Sequence, residues 1–372
     1  MQLKDLARVI HRLAPSDLAA EWDNSGLQVG SLNMEIKKIG LALDATAETV
    51  GEALAQKCDL LLTHHPLIFK PLKNINTDQG AGALAARALA AGLAIWAAHT
   101  NWDCAASGVP QALADLLELT GRQPLEPLAR DFYKLVVFLP AGYEGQVRRA
   151  LCEAGAGVVG DYDRCWFAAP GEGGFNVPAG GHPFIGRTGQ EARARESRLE
   201  VIIPAALAPA AARSVRASHP YQEPAFEFHP VKIYGAGQGF GLIGHWAPPR
   251  DLLAELSRVM GPIPFKWAGP RPERVSRVAL LPGSGGSCLA LARRSGAEVL
   301  ITGDASYHQA LEAASLGLTL VDLGHFETEW PGLLRLARLL ADDLRGPKPE
   351  VECLVLNQGP AWRCQSPAQE LG

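Results

Sequence analysis

The sequence predicts an α/β protein: an α/β/α layered domain with a mostly parallel sheet, interrupted by a ferredoxin-like α+β insert. Three observations predict it. Short apolar runs alternate with helical stretches near both ends of the chain, the pattern of βαβ units whose sheet is covered on both faces. Between about Asp131 and Val231 the texture changes to a strand-helix-strand, strand-helix-strand order of ferredoxin-like size. At 372 residues the chain also exceeds one ordinary core, so more than one domain is expected.

The first part begins with a helix whose apolar face carries Leu3, Leu6, Val9, Ile10 and Leu13, unlike a signal peptide. A strand over Lys38–Leu43 ends at Asp44, a helix follows over Ala47–Gln56, and Leu60–Leu62 forms the next strand. An Ala-rich helix, Gly82–Ala91, stops at Gly92 before the strand Leu93–Ala98. The insert opens with the strand Tyr133–Leu139 and the helix Glu144–Glu153. A Gly- and Pro-rich stretch over Gly171–Gly189, the strand Leu199–Ile203 and the helix Pro209–Ser218 then lead to His219–Pro224. The last part repeats the first grammar: Val278–Leu281, a helix near Cys288–Arg294, Val299–Ile301, a helix near Tyr307–Leu316, and Leu318–Val321. The domain division is therefore 1–128 and 234–372 as two halves of one α/β domain, with 129–233 as the insert. Gly235–Gly241 reads as a flexible return linker, because no strand–turn–helix context surrounds its glycines. Gly283–Ser287 follows a strand and precedes a helix, which suits either a tight turn or a cradle for an anion.

The net charge of −4 argues against a protein that neutralises phosphate backbones, so nucleic acid is not an expected partner. Seven scattered cysteines without a C-x-x-C pair make a disulfide framework unexpected and point to the cytoplasm. The apolar stretch Ala88–Ala98 is too short to span a bilayer, so no membrane association is expected.

Chemistry-bearing residues gather at the ends of four apolar runs. His64 and His65 follow Leu60–Leu62, and open α/β sheets bind ligands at the carboxyl ends of their strands. Pro66 biases His65 toward extended geometry, so the two rings point in opposed directions and suit two ions flanking the chain. Asp103, in His99-Thr100-Asn101-Trp102-Asp103, offers a hard oxygen ligand, while His99 and Asn101 fit orienting or substrate-binding roles. His325 and Glu329 lie four apart and share a face if a helix starts after Gly324; the carboxylate can bridge two metals where an imidazole cannot. Glu327 would face elsewhere. Asp304 and His308 repeat the same spacing and are rim candidates for acid–base or substrate-binding work. Asp44 reads as a helix cap. Imidazole and carboxylate ligands without thiolate favour Zn, Mn, Fe or Co, and two such ions about 3.5–4 Å apart activate water and clamp charge in a hydrolysis.

These motifs resemble the Nif-three-like family, also called GTP cyclohydrolase I type 2 homologues. The resemblance runs through Glu21-Trp22-Asp23-Asn24-Ser25-Gly26-Leu27-Gln28-Val29-Gly30, Leu43–Thr46, Thr63–Phe69, His99–Asp103, Thr302–Asp304 and Gly324–Glu329. It implies a dinuclear metal centre, with His64, His65, Asp103, His325 and Glu329 at the ligand positions and two divalent ions per chain. It also implies a toroidal homohexamer with its sites facing an internal cavity. Longer family members carry a PII/CutA-like middle domain, which Cys152–Gly160, Gly181–Gly189 and His219–Pro224 resemble. The expected function is a cytoplasmic metal-dependent hydrolase of a nucleotide or another phosphorylated small molecule. The alternative is a non-enzymatic, metal-containing regulatory or ligand-binding assembly.

Overall fold

The computed structural model describes residues 1–160, 162–180, 183–246, 251–261, 263–272, 275–345 and 351–361. Two compact units divide the chain: Met1–Leu128 with Ala236–Gly372, and Ala129–Gly235. Gly181, the first residue of one insert-like segment, and Cys364 lie outside the described residues.

The first unit begins with α1 (Leu3–Leu13), β1 (Gly26–Val29), β2 (Lys38–Ala42), α2 (Ala47–Ala55), β3 (Leu60–Thr63), α3 (Gly80–Ala90) and β4 (Ala94–Ala97). The one-turn helix α4 (Thr100–Asp103) and α5 (Val109–Leu116) follow, before β5 (Thr120–Pro140) carries the chain into the second unit. There it forms α6 (Glu144–Glu153), β6 (Phe167–Asn176), β7 (Glu191–Pro204) and α7 (Ala208–Ser218), and β8 (Phe226–His245) returns. The first unit resumes with α8 (Leu252–Met260), β9 (Lys266–Ala268), β10 (Arg277–Leu280), α9 (Leu289–Arg294), β11 (Val299–Thr302) and α10 (Tyr307–Ser315). It closes with β12 (Thr319–Asp322), α11 (His325–Asp343) and β13 (Glu352–Val355).

The parallel strands of the first unit fall into two mixed sheets rather than one. The first has the order β1-β4-β3-β2-β13, parallel except where β1 meets β4. Its strands alternate between two cores, as a sheet covered on both faces requires. Ile39, Leu41, Leu60 and Leu62 pack with Leu3 and Leu6 of α1 and Leu336 and Leu340 of α11. Ala42, Leu61 and Ile95 pack with Val50 and Ala53 of α2 and Ala88 of α3. In the second sheet β8, β10, β11, β12 and β9 are successive neighbours, with a parallel centre at β10-β11-β12. Val278, Leu280 and Ile301 face Leu113 of α5 and Leu256 of α8, while Ala279 and Leu300 face Leu289 of α9 and Ala313 of α10.

The second unit is ferredoxin-like: a β-α-β-β-α-β chain with strand order β6-β7-β5-β8. Leu135, Val137 and Leu139, at period two along β5, share a core with Val147 and Leu151 of α6 and Ala211 and Val215 of α7. Gly235–Gly241 is not a linker but lies within β8. The glycines serve close packing instead: a Cβ at Gly239 would lie 2.4 Å from the Glu126 carbonyl oxygen and 2.6 Å from Pro124. Six cysteines, Cys58, Cys104, Cys152, Cys165, Cys288 and Cys353, are free thiols. Among the described residues no helix is long and apolar enough to cross a membrane.

Candidate metal centre

Three strand ends of the first unit deliver the site. Backbone pairing with β2 continues past the end of β3, where His64 N–H donates to Ala42 O at 3.2 Å and His65 N–H to Leu43 O at 2.8 Å. Both histidines are thus fixed where the chain bends after β3, and the bend brings their rings to centroids 5.0 Å apart on one carboxylate, Glu329, rather than to the opposed directions that an extended backbone would give. Asp103 closes α4, the one-turn helix that follows β4. His325 is the first residue of α11, just after β12, and Glu329 follows one helical turn later.

Four imidazoles are anchored through Nδ1, which leaves Nε2 to the centre. His64 Nδ1 donates to Ala98 O at 2.8 Å, His65 Nδ1 to Asp44 at 2.9 Å, His325 Nδ1 to Asp304 at 2.7 Å and His99 Nδ1 to Asp23 at 2.8 Å. Metal-binding histidines are held this way, because the partner on one nitrogen fixes the tautomer and aim of the other. Asp23 is itself pinned, accepting from Thr100 N at 3.1 Å, Thr100 Oγ1 at 2.6 Å and Ser25 Oγ at 2.7 Å.

Glu329 lies between the rings. Its Oε1 is 3.1 Å from His325 Nε2 and 3.7 Å from His64 Nε2, and its Oε2 is 3.1 Å from His65 Nε2. Asp103 Oδ1 is 3.5 Å from His64 Nε2. The ligand atoms of His64, His65 and His99 lie within 4.8 Å of one another, as do those of His65, His325 and Glu329. His64 Nε2, Asp103 Oδ1 and Glu329 Oε2 are buried without an aligned hydrogen bond. Leaving such atoms unpaired is costly, and a cation among them would satisfy all three. The residues present therefore fit divalent metal binding by nitrogen and oxygen donors.

The electrostatics demand positive charge here. Burial opposes a charged His64, but the carboxylates of Asp103 and Glu329 outweigh it and raise its pKa. Burial likewise opposes charge on His65, and hydrogen bonds to Asp44 and Glu329 overcome it, raising the pKa to about 10. The bond to Glu329, against burial, raises His325 to about 9. Burial raises Asp103, whereas Glu329, despite its burial, is held well below the usual carboxylate range by His64, His325 and His65. Burial also pushes Asp44 upward, but the bond from His65 wins and its pKa falls.

The structure thus brings together His64, His65, Asp103, His325, Glu329 and His99. Asp304 and His308 do not form a helical pair, because α10 starts only at Tyr307 and its cap is Ser306. Asp304 sits outside that helix at φ 52° and orients His325. His308 is exposed on the first turn with its ring against Tyr307. Asp44 is not a cap either: Thr46 caps α2, and the Asp44 carboxylate serves His65. Glu327 turns its carboxylate toward Gly324, which a Cβ there would meet at 2.1 Å. Sequence reasoning missed three participants: Asp23, Asp44 and Gly283. The parallel register Ala42↔Thr63 sets Asp44 beside His65 two residues on, a signal that needed only the strand pairing. Gly283 lies in a tight turn, one of the two arrangements its loop suited, and it packs against the centre. A Cβ on it would lie 2.3 Å from Glu329 Oε1, and its N–H donates to Thr328 Oγ1 at 2.9 Å.

Comparison with known proteins gives a consistent picture. The family described as Duf34/NIF3 (NGG1p interacting factor 3) matches residues 1–360. A Bacillus subtilis protein named GTP cyclohydrolase 1 type 2 homolog is 38% identical over 327 residues, 87% of this chain and 88% of the relative. A protein of the same name from Halalkalibacterium halodurans is 37% identical over 322 residues, covering 86% and 87%. Among solved structures, a Bacillus cereus protein described as related to NIF3 superposes with a TM-score of 0.81 at 33% identity, covering 98% of this chain and 99% of that one.

Proposed function

Because the chain belongs to the Duf34/NIF3 family, we propose that it holds two divalent ions and acts as a metal-dependent hydrolase of a nucleotide or another phosphorylated small molecule. The observation that carries this is the convergence of His64, His65, His325, Glu329 and Asp103, whose buried atoms His64 Nε2, Asp103 Oδ1 and Glu329 Oε2 lack an aligned hydrogen bond. His64, His65, Asp103, His325 and Glu329 would hold the ions, with Asp44, Asp304 and the Ala98 carbonyl aiming the imidazoles. Two such ions supply Lewis acidity and an acidified water to a hydrolysis. His99 is the proton handler: Asp23 holds its Nδ1, and its ring stands beside those of His64 and His65 at centroid distances of 5.2 and 5.4 Å. Asp304 and His308 take no part in proton transfer in this scheme.

Elemental analysis tests the centre. About two ions per chain are expected in the wild type, in line with two-metal chemistry, and fewer in His64→Ala and Glu329→Ala. Undiminished metal in both variants would remove the assignment. Turnover tests the activity on a panel of nucleotides and phosphoesters, with protein loaded in turn with Zn, Mn, Fe and Co. GTP heads the panel because relatives carry the name GTP cyclohydrolase 1 type 2 homolog. No turnover on any member would leave the metal centre without the hydrolase. The assembly we propose for this function is a cytoplasmic, toroidal homohexamer, and light scattering at six times the chain mass tests it.

One observation favours the second reading, a ligand-sensing assembly. The ferredoxin-like unit contains a cavity of about 440 Å³ walled by Phe138, Phe175, Phe184 and Tyr221, with Glu196 and Glu223 among its polar groups. A small ligand bound there, altering metal affinity or assembly without turnover, would support that reading.

A further inference from the structure

We propose that Trp22 and Phe69 form a stacking platform for the base of a nucleotide whose phosphate end reaches the metal centre; this rests on the hydrolase reading and names its substrate class. Trp22 is 63% exposed and Phe69 47% exposed, although both rings adjoin a buried, highly polar site. Their centroids are 5.9 Å apart, and His99 meets Trp22 at 6.1 Å and Phe69 at 6.4 Å, all edge to face. The same His99 ring touches His64 and His65, so the aromatic pair is joined to the centre through one imidazole.

The backbone that carries both rings is held in place by its neighbours. Trp22 precedes Asp23, whose side chain is fully buried and bound to His99, Thr100 and Ser25. Phe69 follows Ile68, whose carbonyl accepts from Asn24 Nδ2 at 2.6 Å and whose N–H donates to Gln28 Oε1 at 3.2 Å. One segment, Trp22-Asp23-Asn24 with Gln28, therefore sets the platform, the His99 anchor and the position of Phe69 together. Exposed aromatic area fixed beside a polar centre marks a ligand surface, and a flat, uncharged ring is what such a surface stacks. A ring-free phosphoester would use the metals and leave the platform uncovered.

The test is calorimetric titration of metal-loaded, full-length protein with GMP, AMP and ribose phosphate, using wild type, Trp22→Ala, Phe69→Ala and Trp22→Phe. Both nucleotides should bind, with Kd raised roughly 5- to 100-fold by either alanine, the range that base stacking on an aromatic side chain supplies. Trp22→Phe should restore much of the loss, and ribose phosphate should bind more weakly and equally to all four proteins. Wild-type nucleotide affinity in both alanine variants would overturn the platform, as would ribose phosphate binding as tightly as the nucleotides or no nucleotide binding at all. Ring-dependent binding without turnover would remove the hydrolase and keep the platform. Turnover indifferent to the base and to both rings would do the reverse.

Discussion

Gly283 touches Glu329 so closely that a methyl group in place of its hydrogen would lie 2.3 Å from the carboxylate Oε1 and 3.4 Å from His325 Nε2. Gly283→Ala should therefore push Glu329 away from His65 and His325 and lower the metal content. The residue also has φ 68°, so alanine adds about 1–2 kcal/mol of backbone strain. Gly317→Ala is the control: its φ is 64°, but no atom lies within 4 Å of a Cβ there. Melting temperature should fall in both variants, and metal content in Gly283→Ala alone. Equal metal in the two would show that Glu329 accommodates the methyl group.

Asp44 and Asp304 do for His65 and His325 what a peptide carbonyl does for His64. Replacing either by asparagine keeps the shape but removes the charge that makes the imidazole a stronger ligand. Loss of such an orienting partner costs about 10–100-fold in metal affinity. Chelator competition should show that loss in Asp44→Asn and Asp304→Asn, with His308→Ala unchanged because its ring lies on an exposed helix turn. A deficit in His308→Ala equal to the others would contradict the geometry.

That His64, His65, Asp103, His325 and Glu329 would converge was legible because a buried parallel strand must end where polar side chains begin: β3 before the two histidines, β4 before the turn that carries Asp103, and β12 before the helix that starts at His325. The partners were less legible, because they are set by register. Asp44 meets His65 only through the pairing of β2 with β3, and Asp23 reaches His99 across 76 positions of chain. The two-sheet arrangement was hidden for the same reason: β13 joins β2 from the opposite end of the sequence. Gly235–Gly241 misled because glycine signals freedom in a sequence, whereas within β8 it permits close backbone packing.

Gly332 is where α11 meets α5. A Cβ there would lie 2.7 and 2.8 Å from the two Val109 methyls and 2.9 Å from its Cα, and the Gly332 carbonyl accepts from Trp102 Nε1 at 3.2 Å. Gly332→Ala should separate the helices and destabilise the first unit by about 1–3 kcal/mol, the usual cost of overpacking. Val109→Ala removes the methyls that collide but not the backbone contact, so the double variant should recover part of the loss in a thermal melt. Strict additivity would mean that the two positions do not compete for the same space.

His219 gives the ferredoxin-like unit a pH dependence. Its Nε2–H donates to Phe138 O at 2.9 Å and its Nδ1 accepts from Tyr221 N–H at 3.0 Å, an arrangement that only the neutral ring can make. Burial chiefly lowers its pKa, against the backbone bond to Phe138. In the unfolded chain it titrates near its usual value of about 6.5. The unfolded state therefore binds more protons as pH falls through that value, and folding loses free energy. The stabilisation is complete above about pH 6.5 and declines below it toward the lowered folded pKa. Protonation also turns Nδ1 into a donor facing the Tyr221 N–H. Hydrogen-exchange protection of the Tyr221 amide, corrected for intrinsic rate, should fall on acidification in the wild type. In His219→Gln it should start lower and change little over the same range. A wild-type protection factor independent of pH would mean that the buried ring accepts its proton without strain.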